Sequence, residues 1–260
     1  MDRTPWRARV YATGCARCGL LYARPQPSEA HTKDLYDEGG TWANTHIARE
    51  GLPTISRKLL TVVDRITGVT RPEPNSRALD FGCGGGRWLN TLADYGWKTY
   101  GIEVAHKVAF ARHIELTEIP RHRGASRFGF VVVSHVLEHL RDPGDVLNAL
   151  GQATEAQGWI YVSVPSLDRL PEHRDWKYVL NARTHLSAYS LDCLRVLLGR
   201  AGFGGCVEVT LRNDAGKSSQ RLRVLAQKDA PVDLPPEPLR SAVGSLSGAG
   251  LTQWRPQLPG

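Results

Sequence analysis

Residues 78–86 read ALDFGCGGG, and no other stretch constrains this chain as tightly. An apolar pair, an acid and an aromatic run into four glycines within five positions: Gly82, Gly84, Gly85 and Gly86. A chain gives up that much side chain where its backbone must bend sharply and let another molecule touch it. Glycine permits both, having no Cβ and tolerating positive φ. The residues before the bend, RALDF (77–81), predict a short buried strand. The residues after it, GRWLNTLADYG (86–96), predict a helix with Trp88, Leu89, Leu92 and Tyr95 at helical spacing and Gly96 closing its end. Strand, glycine bend and helix N-terminus in that order make a ligand cradle at the carboxyl end of a parallel strand.

The spacing narrows the ligand. In the dinucleotide frame G-x-G-x-x-G the third position falls on Arg87, so that pattern fails. The frame that fits is acid-x-G-x-G-x-G, with Asp80, Gly82, Gly84 and Gly86. An acid ahead of the glycines repels a pyrophosphate and suits an ammonium or sulfonium. A second acid, Glu103, ends the next predicted strand, KTYGIEV (98–104). It lies about 20 residues beyond the glycines, where a carboxylate accepts both hydroxyls of a ribose.

Strand and helix patterns alternate through the rest of the chain. AHKVAFARH (105–113) predicts a short helix, HIELTEI (113–119) a third strand and FVVVSHV (130–136) a fourth. A helix begins at Asp142-Pro-Gly-Asp145, with Pro143 in its first turn, and runs to about Ala153. GWIYVSVP (158–165) is the fifth strand, and Ser190 caps the helix SLDCLRVLLGRAGF. CVEVTLR (206–212) and RLRVLAQ (221–227) are the last pair. The expectation is an α/β fold with a Rossmann-like, doubly wound, seven-stranded sheet, parallel except for one antiparallel edge strand. Three regions separate: 1–75, a turn-rich N-terminal segment; 76–228, the ligand-binding domain; and 229–260, a Pro/Gly-rich tail.

Bulk properties exclude several classes. No apolar run is long enough to span a bilayer. The N-terminus carries charge without an apolar signal region, and five cysteines do not suggest a disulfide framework, so the expectation is a reduced, cytoplasmic protein. The net charge of +7 is scattered among arginines without a continuous basic run, which argues against a nucleic-acid partner.

LDFGCGGGRWL and YGIEV resemble the first motif and second-strand acid of the class I S-adenosylmethionine-dependent methyltransferases. FVVVSHVLEHLRDP resembles the fourth-strand motif of a subgroup carrying H-V-L-E-H-L-x-D-P. The segment from VPSLDRLPEH to GRAGF is similar to the region after strand five in that subgroup. The resemblance covers roughly 76–228 and implies S-adenosylmethionine as cofactor. It places Gly82, Gly84 and Gly86 against the methionine and ribose, Asp80 at the amino group and Glu103 at the ribose diol. Cys83, Val104, Thr117, Ser134 and His135 complete the implied cofactor-binding set.

Methyl transfer needs an aligned nucleophile, a dry site and, for some acceptors, a base, for which histidine is best suited. Similar sugar C-methyltransferases place a base at the position of His185, so the resemblance makes His185 the first candidate. His135 follows, and Tyr36 falls in the segment that covers the site in relatives. The helix PTISRKLLTVVDRITG (53–68) is expected to join that lid. Trp176 and Tyr178 are candidates for the acceptor pocket, and Glu138 and His139 are expected to make structural contacts. GCARCGLLYARPQP (14–27) resembles half of a zinc-binding module in relatives of the subgroup. Only Cys15 and Cys18 are present locally, so a remnant is expected, with no metal. The expected activity is methyl transfer to a small molecule in specialised or sugar-derivative metabolism. An RNA or protein methyltransferase, or a non-catalytic relative of the same fold, remains an alternative.

Overall fold

The computed structural model describes residues 11–28, 54–103, 114–120, 127–169, 179–180, 184–211 and 220–232. Tyr36, Val104, Trp176 and Tyr178, the expected helix over 105–113 and residues 233–260 of the tail lie outside them.

The elements, in chain order, are β1 (Tyr11–Gly14), β2 (Leu21–Arg24), α1 (Arg57–Thr67), β3 (Arg77–Phe81), α2 (Arg87–Asp94), β4 (Lys98–Ile102), β5 (Ile114–Glu115) and β6 (Phe128–Ser134). A 3-10 turn (Leu137–His139) follows, then α3 (Pro143–Ala153), β7 (Thr154–Pro165), β8 (Ser187–Ala188), α4 (Leu191–Arg200), β9 (Phe203–Glu208) and β10 (Arg221–Lys228).

Seven strands form the main sheet in the order β5-β4-β3-β6-β7-β10-β9. β3 pairs in parallel with β4 on one side and β6 on the other, so the winding direction reverses at β3. Such a switch point opens a crevice above the carboxyl ends of its strands. Alternation along β6 shows how the sheet is covered. Val131 and Val133 pack into one cluster with α3 and α4, while Phe130 and Val132 pack into the other with Val63 and Trp88. A strand whose residues are buried on both faces reads as a continuous apolar run, and FVVV is that run.

The antiparallel strand departs from expectation. β10 runs antiparallel to both β7 and β9 and lies between them, so the edge is β9. The physical reason is burial. Five successive residues of β10, Leu222 to Ala226, are buried, whereas β9 alternates toward solvent at its end. A strand buried on both faces gains most where both of its edges are also paired.

The helix ends follow their local chemistry. Asp142 caps α3 by accepting from the Asp145 N–H at 3.1 Å, with Pro143 in the first turn. Ser190 caps α4 by accepting from the Cys193 N–H at 3.1 Å. Ser56 caps α1, and Gly68 ends it in the left-handed region at φ 66°. Leu59, Leu60, Val63 and Ile66 of α1 join the apolar cluster on the sheet, so this helix belongs to the covering layer. The residues just ahead of it reach α2, where the Arg87 guanidinium donates to the Thr54 carbonyl at 3.0 Å.

A second, three-stranded sheet, β1-β2-β8, was not anticipated. β1 and β2 form a hairpin whose turn carries Cys15 and Cys18, and β2 pairs with β8 through Leu21–Ala188 and Tyr22–Ser187. Cys18 is buried in the main cluster with Cys193. The hairpin thus docks on the domain core.

Phe130 is 1% exposed between Trp88 and Trp97, at ring-centroid distances of 6.0 and 6.1 Å. Truncating it to alanine should destabilise the protein by about 3–5 kcal/mol, read by urea unfolding.

Candidate active site

The glycine bend wraps the end of β4. The N–H groups of Gly82 and Cys83 both donate to the Ile102 carbonyl, at 2.8 and 3.1 Å, which brings the bend beside Glu103. The Gly84 N–H donates to Glu103 Oε2 at 2.7 Å, fixing that carboxylate at the mouth of the bend. Gly82 sits at φ 73°, and a Cβ there would clash with Val136 Cγ2. Any other residue would push the bend away from the end of β6. Gly84, at φ 49°, and Gly85 face open space, with nothing within 4 Å of an added Cβ. One glycine therefore packs the bend against the fold, and the next two leave room for a ligand.

Asp80 lies at the tip of β3, 2% exposed. Burial, with the Glu103 charge adding to it, pushes its carboxyl up to about 8. Two carboxylates thus converge on the bend. The open backbone, the buried acid and the second acid fit the ammonium or sulfonium and the ribose of S-adenosylmethionine, with Asp80 and Glu103 as the residues that would hold them.

The end of β6 forms the other wall. Ser134 is half-buried, and Thr117, by contrast, is exposed beyond β5. His135 adopts φ 58°, a left-handed conformation uncommon outside glycine. Two bonds hold it there: its N–H donates to the Ser163 carbonyl at 2.7 Å, and its Nδ1 lies 3.0 Å from Glu138 Oε1. Such outliers persist where the surroundings over-determine them, and they cluster at functional sites.

Glu138, expected as a structural contact, is fully buried. Burial raises its carboxyl, but the hydrogen bond and charge of His135 and the charges of His139 and His185 outweigh that and hold it below its usual value. His185 is 4% exposed, and its ring meets that of His139 edge-on at 4.9 Å between centroids. The structure therefore brings His135, Glu138, His139 and His185 together. The sequence signal for the grouping is the spacing H-x-x-E-H itself. A 3-10 turn over Leu137–His139 gathers its members, and the segment leading into β8 delivers His185 from far along the chain.

Among the described residues, Cys15 and Cys18 are not grouped with further His, Cys, Asp or Glu side chains placed to hold a metal ion. Cys18 hydrogen-bonds with Cys193 and Cys15, and the Cys193 contact is the main reason its thiol falls to about 5, despite burial. Cys193 is correspondingly raised, chiefly by the same contact.

A doubly wound sheet with an acid-flanked glycine bend at its switch point is the arrangement that the resemblance to class I methyltransferases implies. Residues 52–206, more than half of the chain, match the model of a family described as a methyltransferase domain, and the chain belongs to that family. Among curated relatives, a ubiquinone biosynthesis O-methyltransferase of Hydrogenovibrio crunogenus is 29% identical over 102 residues, covering 34% of this chain and 42% of that protein. The match thus spans under half the length of that relative. Two solved structures share the fold. One is Burkholderia thailandensis 1,6-didemethyltoxoflavin-N1-methyltransferase, with TM-score 0.52, 17% identity and coverage of 86% of this chain and 100% of that one. The other is Haemonchus contortus phosphoethanolamine N-methyltransferase 2 in complex with S-adenosyl-L-methionine, with TM-score 0.54, 13% identity and coverage of 81% and 62%. No described helix is long and apolar enough to cross a membrane.

Three outcomes test the cradle. Glu103→Ala should weaken S-adenosylhomocysteine binding by about 1–3 kcal/mol, measured by calorimetry. Gly84→Ala should cost only about 1 kcal/mol in stability yet lower that affinity by roughly tenfold or more, because its methyl group enters the open space. The third concerns pH. The folded carboxyl of Asp80 titrates near 8, above the ordinary 3.8, so the unfolded chain loses this proton first. Its contribution to stability therefore falls from about pH 4 to about pH 8 and levels off above. Ligand-free Asp80→Asn should melt higher than the parent at pH 8 while losing affinity for the ligand.

Proposed function

We propose that the protein methylates a small-molecule acceptor whose nucleophilic atom carries a proton, and that His135 removes that proton. The observation that carries the reading is the pairing of His135 Nδ1 with the buried Glu138 carboxylate at 3.0 Å. A carboxylate can only accept, so Nδ1 bears the hydrogen and Nε2 keeps its lone pair. Nε2 is buried and has no hydrogen-bond partner among the described residues. Bound S-adenosylmethionine supplies an electrophilic methyl group for in-line displacement. Glu138 fixes the ring and its tautomer and stabilises the imidazolium formed when Nε2 takes the proton.

This differs from the first expectation, in which His185 is the base. His185 is packed edge-on against His139 inside the cluster, whereas His135 follows β6 directly, beside the residue that packs on Gly82. A small acceptor is supported by the curated relatives, named for ubiquinone biosynthesis, and by the scattered positive charge.

His135→Ala should slow turnover by about 10²- to 10⁴-fold with S-adenosylhomocysteine affinity unchanged. The assay follows labelled methyl from S-adenosylmethionine into small-molecule and RNA fractions of a cell extract. Label in the small-molecule fraction is expected. Label confined to tRNA would overturn the proposal, as would full activity in the variant.

A further inference from the structure

The proton-transfer role assigned to His135 uses one oxygen of Glu138. The other, Oε2, is buried and without a hydrogen-bond partner among the described residues. A buried carboxyl oxygen left without a partner is costly, because an unmet buried acceptor carries its full desolvation penalty. Something belongs opposite it.

The surroundings say what. Glu138, His139 and His185 each present a ligand atom, and these atoms all lie within 4.8 Å of one another. Among the described residues no other set of three His, Cys, Asp or Glu side chains is grouped in this way. The histidine tautomer is set for coordination. His139 Nδ1 lies 2.8 Å from the Thr184 carbonyl, an acceptor only, so Nδ1 carries the hydrogen and Nε2 the lone pair. A backbone carbonyl holding the far nitrogen is the usual outer support of a metal-bound imidazole.

The frame around the three side chains is tied down as well. The Leu186 N–H, next to His185, donates to the Glu138 carbonyl at 2.6 Å. The Tyr189 hydroxyl donates to the Leu137 carbonyl at 2.8 Å. β8 is clamped in turn by β2 of the N-terminal hairpin. The turn and the segment bearing His185 therefore hold a fixed spacing. Tetrahedral ligands at about 2.0–2.1 Å from an ion stand roughly 3.4 Å apart, so side-chain rotations of about an ångström close the set.

We propose that Glu138, His139 and His185 bind a single first-row divalent cation, with Glu138 Oε2 and one imidazole nitrogen from each histidine as its protein ligands. Two imidazoles with one carboxylate suit zinc, cobalt, iron(II) or manganese; magnesium and calcium prefer all-oxygen sets. Three protein ligands leave a coordination position open. Glu138 then serves two partners, His135 through Oε1 and the cation through Oε2. The site goes beyond the assignment of His135 and does not rest on it.

The test uses the full chain, stripped with chelator and dialysed against Co²⁺ or Zn²⁺ alone, with metal content measured by mass spectrometry. One equivalent should remain bound. The cobalt form should show visible d–d absorption without the near-ultraviolet thiolate-to-cobalt band that the cysteines would give. His139→Ala and His185→Ala should each lower metal affinity at least tenfold while S-adenosylhomocysteine affinity stays within twofold, and Cys18→Ser should keep the ion. Sub-stoichiometric metal, a thiolate band, or metal lost in Cys18→Ser but kept in His185→Ala would overturn the site. Should the histidine variants fail to fold, the parent cobalt spectrum and Cys18→Ser decide alone. A parent protein that binds metal but no S-adenosylhomocysteine would count against the methyltransferase reading and leave this one standing.

Discussion

Asp80 ends the central strand with its carboxyl group almost wholly out of water and Glu103 close enough to oppose its ionisation. Left to itself that arrangement is destabilising once the carboxyl ionises. A cationic ligand reverses the sign of the same interaction, because an ammonium or sulfonium in the bend turns two repelling acids into two partners. β3 and β4 bring the acids to one rim, Gly82 lets the bend press on Val136, and Gly84 and Gly85 border open space.

The second centre of organisation is the end of β6. His135 takes a backbone conformation that few side chains adopt, held by a carbonyl of β7 and by Glu138. The 3-10 turn that buries Glu138 also offers its carbonyls to Leu186 and Tyr189. The small sheet adds the outer support, since β2 pairs with β8 and the Ala23 N–H donates to the Leu186 carbonyl at 2.9 Å. The N-terminal hairpin, far from the histidines in sequence, thereby fixes where His185 sits.

Much of this was legible from residues alone. Apolar runs and their punctuation placed β3, β4, β6, β7, α3 and α4 within a few residues, because buried parallel strands and well-capped helices leave strong local signals. Asp80, Gly82, Gly84 and Glu103 were readable because acid-led glycine spacing is a local demand of the bend. The position of β10 was not. Its neighbours are chosen by burial on both faces and by which slot remains once β9 is laid down, and neither is written in RLRVLAQ. The hairpin's docking was equally hidden, since strands of four residues carry little pattern.

The sequence by itself determined a doubly wound α/β sheet, a glycine bend led by one acid and followed by another, and a histidine-rich turn after the fourth core strand. These are local properties: period, capping and spacing. Only the tertiary structure decided that His185 joins the turn that carries Glu138 and His139. His135 pairs with Glu138 because a 3-10 turn folds the chain back on itself. His185 joins them because β8 is held against β2, a pairing between segments more than a hundred and sixty residues apart. Contacts between such distant segments depend on how the whole chain packs, and no local pattern of residues specifies them.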